Sequence, residues 1–169
     1  MRRLTAAVAL LAFVALAPVG CRRKKKMKAR EDGLASVINL ADPADSAQIV
    51  SGFSNVEADA WRWSTSKFRV VLRPPAGPAK LEMKFTLVDA VVGKLGPITV
   101  SANVAGVAIA PETFSQAGDF VYSHEVPASA LGADVVTVEF STDKAIAPSN
   151  VDKRELALIV KSIGLVASQ

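Results

Sequence analysis

The chain has one cysteine, one histidine, two tryptophans and one tyrosine among 169 residues. A single cysteine, Cys21, allows no disulfide within the chain. A single histidine, His124, leaves no His/Cys cluster of the kind that holds zinc, so only carboxylate-rich sites for hard cations would be available. There is no G-x-S-x-G elbow, no phosphate-binding or dinucleotide-binding glycine loop and no H-E-x-x-H pair. Ser123 and His124 are neighbours on an alternating segment, so their side chains point to opposite faces and cannot work as a nucleophile and its base. Sixteen acids make some close carboxylate pair a matter of chance, which is no argument for a hydrolase. The expectation is a non-catalytic protein without a cofactor.

Negative charge is also missing where positive charge is densest. Arg22, Arg23, Lys24, Lys25, Lys26, Lys28 and Arg30 stand together with no acid between them. From Glu31 onward, eleven of the twenty basic residues face all sixteen acids, a net charge of −5. The formal +4 of the whole chain therefore describes a basic strap on a mildly acidic body, and no basic stripe is left for nucleic acid.

What precedes the strap is apolar. After Met1-Arg2-Arg3, an unbroken run of 12 apolar residues extends from Ala6 to Ala17. As a helix this reaches roughly 18 Å, short of a hydrocarbon core of about 30 Å, as expected for the apolar region of an export signal. Pro18 would end the helix, and Gly20 puts no side chain beside Cys21. Val19-Gly20-Cys21 resembles the last three positions of the bacterial lipoprotein signal, with Pro18 where leucine is usual. That resemblance implies cleavage before Cys21, a lipid on its sulfur and an acylated amine, hence stable anchoring through several acyl chains. The strap would then lie against the bilayer, where anionic headgroups or lipopolysaccharide phosphates could hold it at about 1 kcal/mol per charge. A solvated spacer is the plainer role for it. Two other readings of the front end stay open: an ordinary secretory signal with an incidental cysteine, and a reversed anchor retained by the basic tract. The expected location is the bacterial envelope, with the body outside the cytoplasm and the outer membrane favoured over the inner.

The rest alternates. Phe68-Val70-Leu72, Leu81-Met83-Phe85-Leu87, Ile98-Val100-Ala102-Val104, Phe120-Tyr122-His124-Val126 and Val136-Val138-Phe140 each place every second residue on one face. Such period-two runs, separated by Pro, Gly and Asp, predict antiparallel strands with one face buried. With no long amphipathic helix to cover them, an all-β, antiparallel two-sheet β-sandwich follows, jelly-roll-like. The domain plan is a signal helix over 1–20, Cys21 with a basic, flexible linker over 21–47, and the sandwich over 48–169. A short strand is expected at Val37–Leu40, a single helical turn at Ala128–Leu131, and a last strand within 155–165. For that last segment a helix is the competing reading, since Asp152 and Glu155 match a capping box.

The least ordinary cluster is Glu57-Ala58-Asp59-Ala60-Trp61-Arg62-Trp63-Ser64. On a strand Trp61 and Trp63 share a face and Arg62 takes the other. Flat rings stack on the C–H faces of sugars while charged groups bind hydroxyls, so the cluster suits a glycan. The competing reading puts one or both rings in the core and pairs Arg62 with a carboxylate. Gly52-Phe53, Glu57, Trp61-Arg62-Trp63-Ser64 and Asp152-Lys153-Arg154-Glu155-Leu156-Ala157 resemble a bacterial β-sandwich module appended to cell-surface polysaccharide glycosyltransferases and to stand-alone exported proteins. Ala157 stands where that pattern commonly has glycine. The resemblance spans about Gln48 to Leu165. It implies a fold similar to carbohydrate-binding modules and a candidate set of Glu57, Trp61, Arg62, Trp63, Asp152 and Arg154, serving either a glycan site or a network joining the first and last strands. The expected partners are the lipid bilayer and an envelope polysaccharide. The alternative is a structural or adaptor lipoprotein that binds a protein and has no sugar site.

Overall fold

The computed structural model describes residues 33–168. Residues 1–20, Cys21 and the strap from Arg22 to Arg30, with the signal, lipidation and headgroup contacts expected of them, lie outside the described residues. In chain order the elements are β1 (Val37–Asn39), a 3-10 turn (Pro43–Gln48), β2 (Ile49–Phe53), β3 (Arg62–Leu72) and β4 (Ala79–Leu87). A short helix α1 (Asp89–Leu95) follows, then β5 (Ile98–Val104), β6 (Val107–Phe114), β7 (Gly118–Val126) and a 3-10 turn (Ala128–Ala130). β8 (Val136–Thr142) and β9 (Ile159–Ala167) complete the fold.

Every strand pairing is antiparallel. One sheet runs β1-β9-β4-β7 and the other β2-β3-β8-β5-β6. From β4 onward the chain passes between sheets at all but one step, since only β5 and β6 are successive and paired. This is the jelly-roll-like, two-sheet sandwich that the alternation predicts. The buried rows are the predicted ones: Leu81, Met83, Phe85 and Leu87 are at most 1 % exposed, as are Ile98, Val100 and Val104. Burying each large side chain is worth about 1.5–3 kcal/mol, and these rows account for most of the cohesion between sheets. Phe68 stacks on Phe140 at 5.1 Å, and Tyr122 meets Phe140 edge-on at 5.9 Å. The hydroxyl of the fully buried Tyr122 donates to the Ala110 carbonyl at 2.7 Å. Burial first, and then the Glu112 charge, push its pKa up to about 12.

The last segment is strand, not helix. β9 pairs with β4 over most of its length and with β1 on its other side. The helical turn after Pro127 is present as the 3-10 turn at Ala128–Ala130.

The front boundary of the body differs from the sequence expectation. The segment read as linker up to residue 47 joins the sandwich at least from Ala35. Ile38 and Leu40 are fully buried, and β1 pairs residue for residue with Gly164, Ile163 and Ser162. Two buried polar side chains hold this stretch where no periodicity would reveal it. The Gln48 amide accepts from Ala35 N (2.8 Å) and donates to the carbonyls of Ala35 (3.0 Å) and Val71 (2.8 Å). The Asp45 carboxylate accepts from Asn39 N at 2.9 Å. Backbone groups that would otherwise be buried without partners are satisfied this way.

One strand belongs to both sheets. At its start β3 pairs Arg62 with Val160 and Trp63 with Ile159, and from Lys67 to Leu72 it pairs with β8 in the opposite sheet. The change happens at Ser64–Ser66. There Ser64 N donates to the Leu158 carbonyl, Ala157 N to the Ser64 carbonyl, and Leu158 N to the fully buried Ser64 hydroxyl (3.2 Å). The tryptophan cluster sits at this corner.

Candidate functional site

Glu57, Ala58, Asp59 and Ala60 form a reverse turn closed by Ala60 N donating to the Glu57 carbonyl at 3.1 Å. Ala58 and Asp59 have φ of 50° and 52°, the left-handed conformation of a type I′ turn. Asparagine or aspartate adopts it readily, whereas alanine does so at a cost of about 1–2 kcal/mol. The turn returns the chain antiparallel on itself, with Glu57 and Trp61 paired, and delivers Trp61 next to Trp63. The two rings meet edge to face, with centroids 6.1 Å apart and planes at 87°. Both are half-buried. Trp63 packs against the core cluster, while Trp61 stands outside it.

Arg62 points the other way, as the alternation requires. Its Nε donates to the Leu40 carbonyl (2.6 Å) and its Nη1 to the Ser54 carbonyl (2.8 Å). These bonds tie β1 and the loop after β2 to the start of β3, so Arg62 is a brace. The expectation of a carboxylate partner for it is corrected: its partners are the backbone carbonyls of Leu40 and Ser54, which lie just past the ends of β1 and β2.

The other charged residues of the candidate set do come together. Arg154 bonds Asp152 through Nε (3.0 Å to Oδ1) and Nη2 (2.8 Å to Oδ2), and its Nη1 donates to Glu57 Oε1. The trio joins the turn before β3 to the segment before β9, residues 97 apart in the chain. It lies at the surface and is not a buried network: the three side chains are 35–43 % exposed. Hydrogen bonds from the Arg154 side chain and backbone hold Asp152 down at about pKa 2, and the two carboxylates hold Arg154 firmly protonated.

Beside this trio lies a cleft of about 330 Å³, lined by Phe53, Asn55, Trp63, Thr65, Arg154 and Glu155, with Ser54. Trp63 is its flat wall and Arg154 its charged rim. Glu155 accepts from Ser66 N at 2.8 Å, which lowers its pKa. The Gly52-Phe53 feature serves this corner structurally. Gly52 has φ of +82° in a bulged part of the β2–β3 pairing, and an added Cβ would stand 2.6 Å from the Phe68 Cα. The neighbouring Phe53 ring meets Phe68 at 5.2 Å.

Of the six candidate residues, five cluster at the corner and Arg62 turns the other way to brace it. Sequence reading did not single out Phe53, Asn55, Thr65 or Glu155 as site residues. Thr65 was within reach, since the period-two face that holds Trp61 and Trp63 continues through Thr65, Lys67 and Arg69. His124 lies elsewhere, on β7, half-exposed, with Nε2 3.2 Å from Glu112 Oε2 and its ring against Tyr122.

No protein-family model matches this chain, and no curated protein matches it in sequence. Among solved structures, similarity extends to a family 35 carbohydrate-binding module from Clostridium thermocellum. It has 15 % identity and a TM-score of 0.46, over 78 % of this chain and 98 % of that one. The carbohydrate-binding module CBM36 in complex with calcium and xylotriose matches at 10 % identity and a TM-score of 0.45, over 76 % and 98 %. Dimeric latent PorU from Porphyromonas gingivalis matches at 8 % identity and a TM-score of 0.46, over 76 % of this chain and 12 % of that one.

Proposed function

We propose that this chain is a lipid-anchored, non-catalytic protein of the bacterial envelope whose sandwich binds glycan at the Trp61–Trp63 corner. The observation that carries the reading is the pair of half-buried tryptophans, perpendicular at 6.1 Å, beside a cleft rimmed by Arg154. A ring face and edge at one place can follow a sugar's C–H surface, while the rim groups take its hydroxyls. The adjacent charges favour binding over acid–base catalysis. Asp152 titrates near 2 and is held by a guanidinium, so at neutral pH it has no proton to give and little basicity.

The anchor is proposed from Val19-Gly20-Cys21 and the apolar run before it, with the strap from Arg22 to Arg30 lying against anionic headgroups or lipopolysaccharide. Residues 48–165 are proposed to be a module of the kind appended to cell-surface polysaccharide glycosyltransferases. A second reading, an adaptor lipoprotein that engages a protein, is favoured by one observation: Trp63 packs on the core cluster. Retention of the exported protein on a panel of immobilised envelope polysaccharides tests the first reading, and no retention on any of them rejects it. Mass spectrometry of the mature N-terminus tests the anchor, and an unmodified Cys21 rejects that part.

A further inference from the structure

The cleft beside Trp63 does not end at the corner. Glu155, one of its lining residues, also lines a second concavity of about 420 Å³ with Ser66, Lys67, Asp143 and Lys144. Lys67 in turn lines a third, of about 290 Å³, on the outer face of the second sheet, with Ser101, Ser141, Arg69 and Glu139. Each neighbouring pair of hollows thus shares a wall residue. The axis through them is β3 itself: Trp63, Thr65, Lys67 and Arg69 alternate onto its outer side, while Phe68, Val70 and Leu72 are buried behind. From Trp63 to Arg69 the strand spans about 20 Å at roughly 3.3 Å per residue. The cross-strand register extends the surface sideways, with Lys67 opposite Ser141 and Ser141 opposite Ser101.

We infer that these hollows form one track for a linear oligosaccharide several units long, entered from within the chain and not only at its end. This rests on the glycan reading of the tryptophan corner. The chemistry of the lining sets the ligand class. Arg69 is paired with Glu139, Lys144 with Asp143, and Arg154 with Asp152 and Glu57. Lys67 has no carboxylate partner among the described residues, and the hydroxyls of Ser101 and Ser141 have no hydrogen bond there. Charges along the track are therefore nearly balanced, while hydroxyls and one ammonium are free. Such a surface matches a chain rich in hydroxyls and of low charge density, not a polyanion.

The test is a length series of cello-, xylo- and chito-oligosaccharides, from disaccharide to hexasaccharide, titrated against the exported protein. For whichever series binds, affinity should rise about tenfold or more from disaccharide to hexasaccharide, the weight of one or two added hydrogen bonds. Ser141→Trp, which fills the far hollow, should lower hexasaccharide affinity toward the disaccharide level and leave disaccharide binding and melting temperature unchanged. Lys67→Ala should weaken the hexasaccharide alone, and serves if the bulkier variant fails to fold. Equal affinity for disaccharide and hexasaccharide, or indifference to both variants, overturns the track and leaves the corner standing. No binding by any series overturns the track, while the corner is decided separately by retention on the envelope polysaccharides.

Discussion

The two halves of β3 hold their shape by different means. From Lys67 to Leu72 every second side chain is buried, the backbone pairs in register with β8, and Phe68 lies flat on Phe140. From Arg62 to Ser66 the strand leaves one sheet for the other, and its order depends on side chains that bond backbone: Arg62 to Leu40 and Ser54, Ser64 to Leu158, Glu155 to Ser66. The first half is held by area removed from water, which any apolar residue of the right size supplies. The second is held by particular polar groups in particular places. A surface that sets a half-buried tryptophan pair at an irregular corner is built here in the second way.

Substitutions should separate the two halves. The largest loss is expected at their junction with β2, where Gly52→Ala must displace backbone and also leave a left-handed φ. A destabilisation of about 3 kcal/mol or more in chemical denaturation is expected, against about 1–2 kcal/mol for Gly77→Ala, where nothing lies within 4 Å and the φ of +93° is the sole obstacle. Next, Trp63→Ala should cost about 2 kcal/mol, because Trp63 packs on the core cluster, whereas Trp61→Ala should cost less than about 1 kcal/mol. Equal losses would mean that the corner is a single packed unit. Ala58→Gly removes the left-handed strain of the turn and should stabilise by about 1 kcal/mol in the same assay, the opposite sign to Gly52→Ala.

Smallest is the effect of pH. Asp152 is depressed from 3.8 to about 2 in the folded protein, so its pairing adds stability above the unfolded value. That contribution should fade as the pH falls through the folded value. Asp152→Asn should therefore lower the melting temperature slightly at neutral pH, and the gap to wild type should narrow from about pH 4 down to pH 2 and close below it. A gap as wide at pH 2 as at neutral pH would mean that Asp152 acts by something other than its charge.

The same division explains what could be read in advance. The five alternating runs became β3, β4, β5, β7 and β8 because each has one buried and one wet face, and period two records that asymmetry directly. β6 escaped because Pro111 and a bulge break its alternation, leaving only Ile109 and Phe114 buried. α1 escaped because seven residues with one buried side chain, Val91, carry no helical period worth the name. The strand expected at Val37–Leu40 is β1, but its membership of the body together with residues 41–48 escaped because Asp45 and Gln48 hold that stretch, and a buried polar residue looks like a loop residue in a sequence. At the corner, Glu57, Asp152 and Arg154 were legible as a group. That Arg62 faces inward to carbonyls was not, since its partners are backbone atoms whose positions depend on the whole fold. Cys21 and the strap rest on their sequence pattern.

The central claim is that the outward tryptophan at this corner serves a ligand and not the fold. Its most direct measurement compares wild type and Trp61→Ala, in parallel, for melting temperature and for retention on an envelope-polysaccharide affinity gel. The account predicts an unchanged melting temperature with retention lost. Retention equal to wild type in a folded variant, or a Trp61→Ala protein that unfolds, would contradict it.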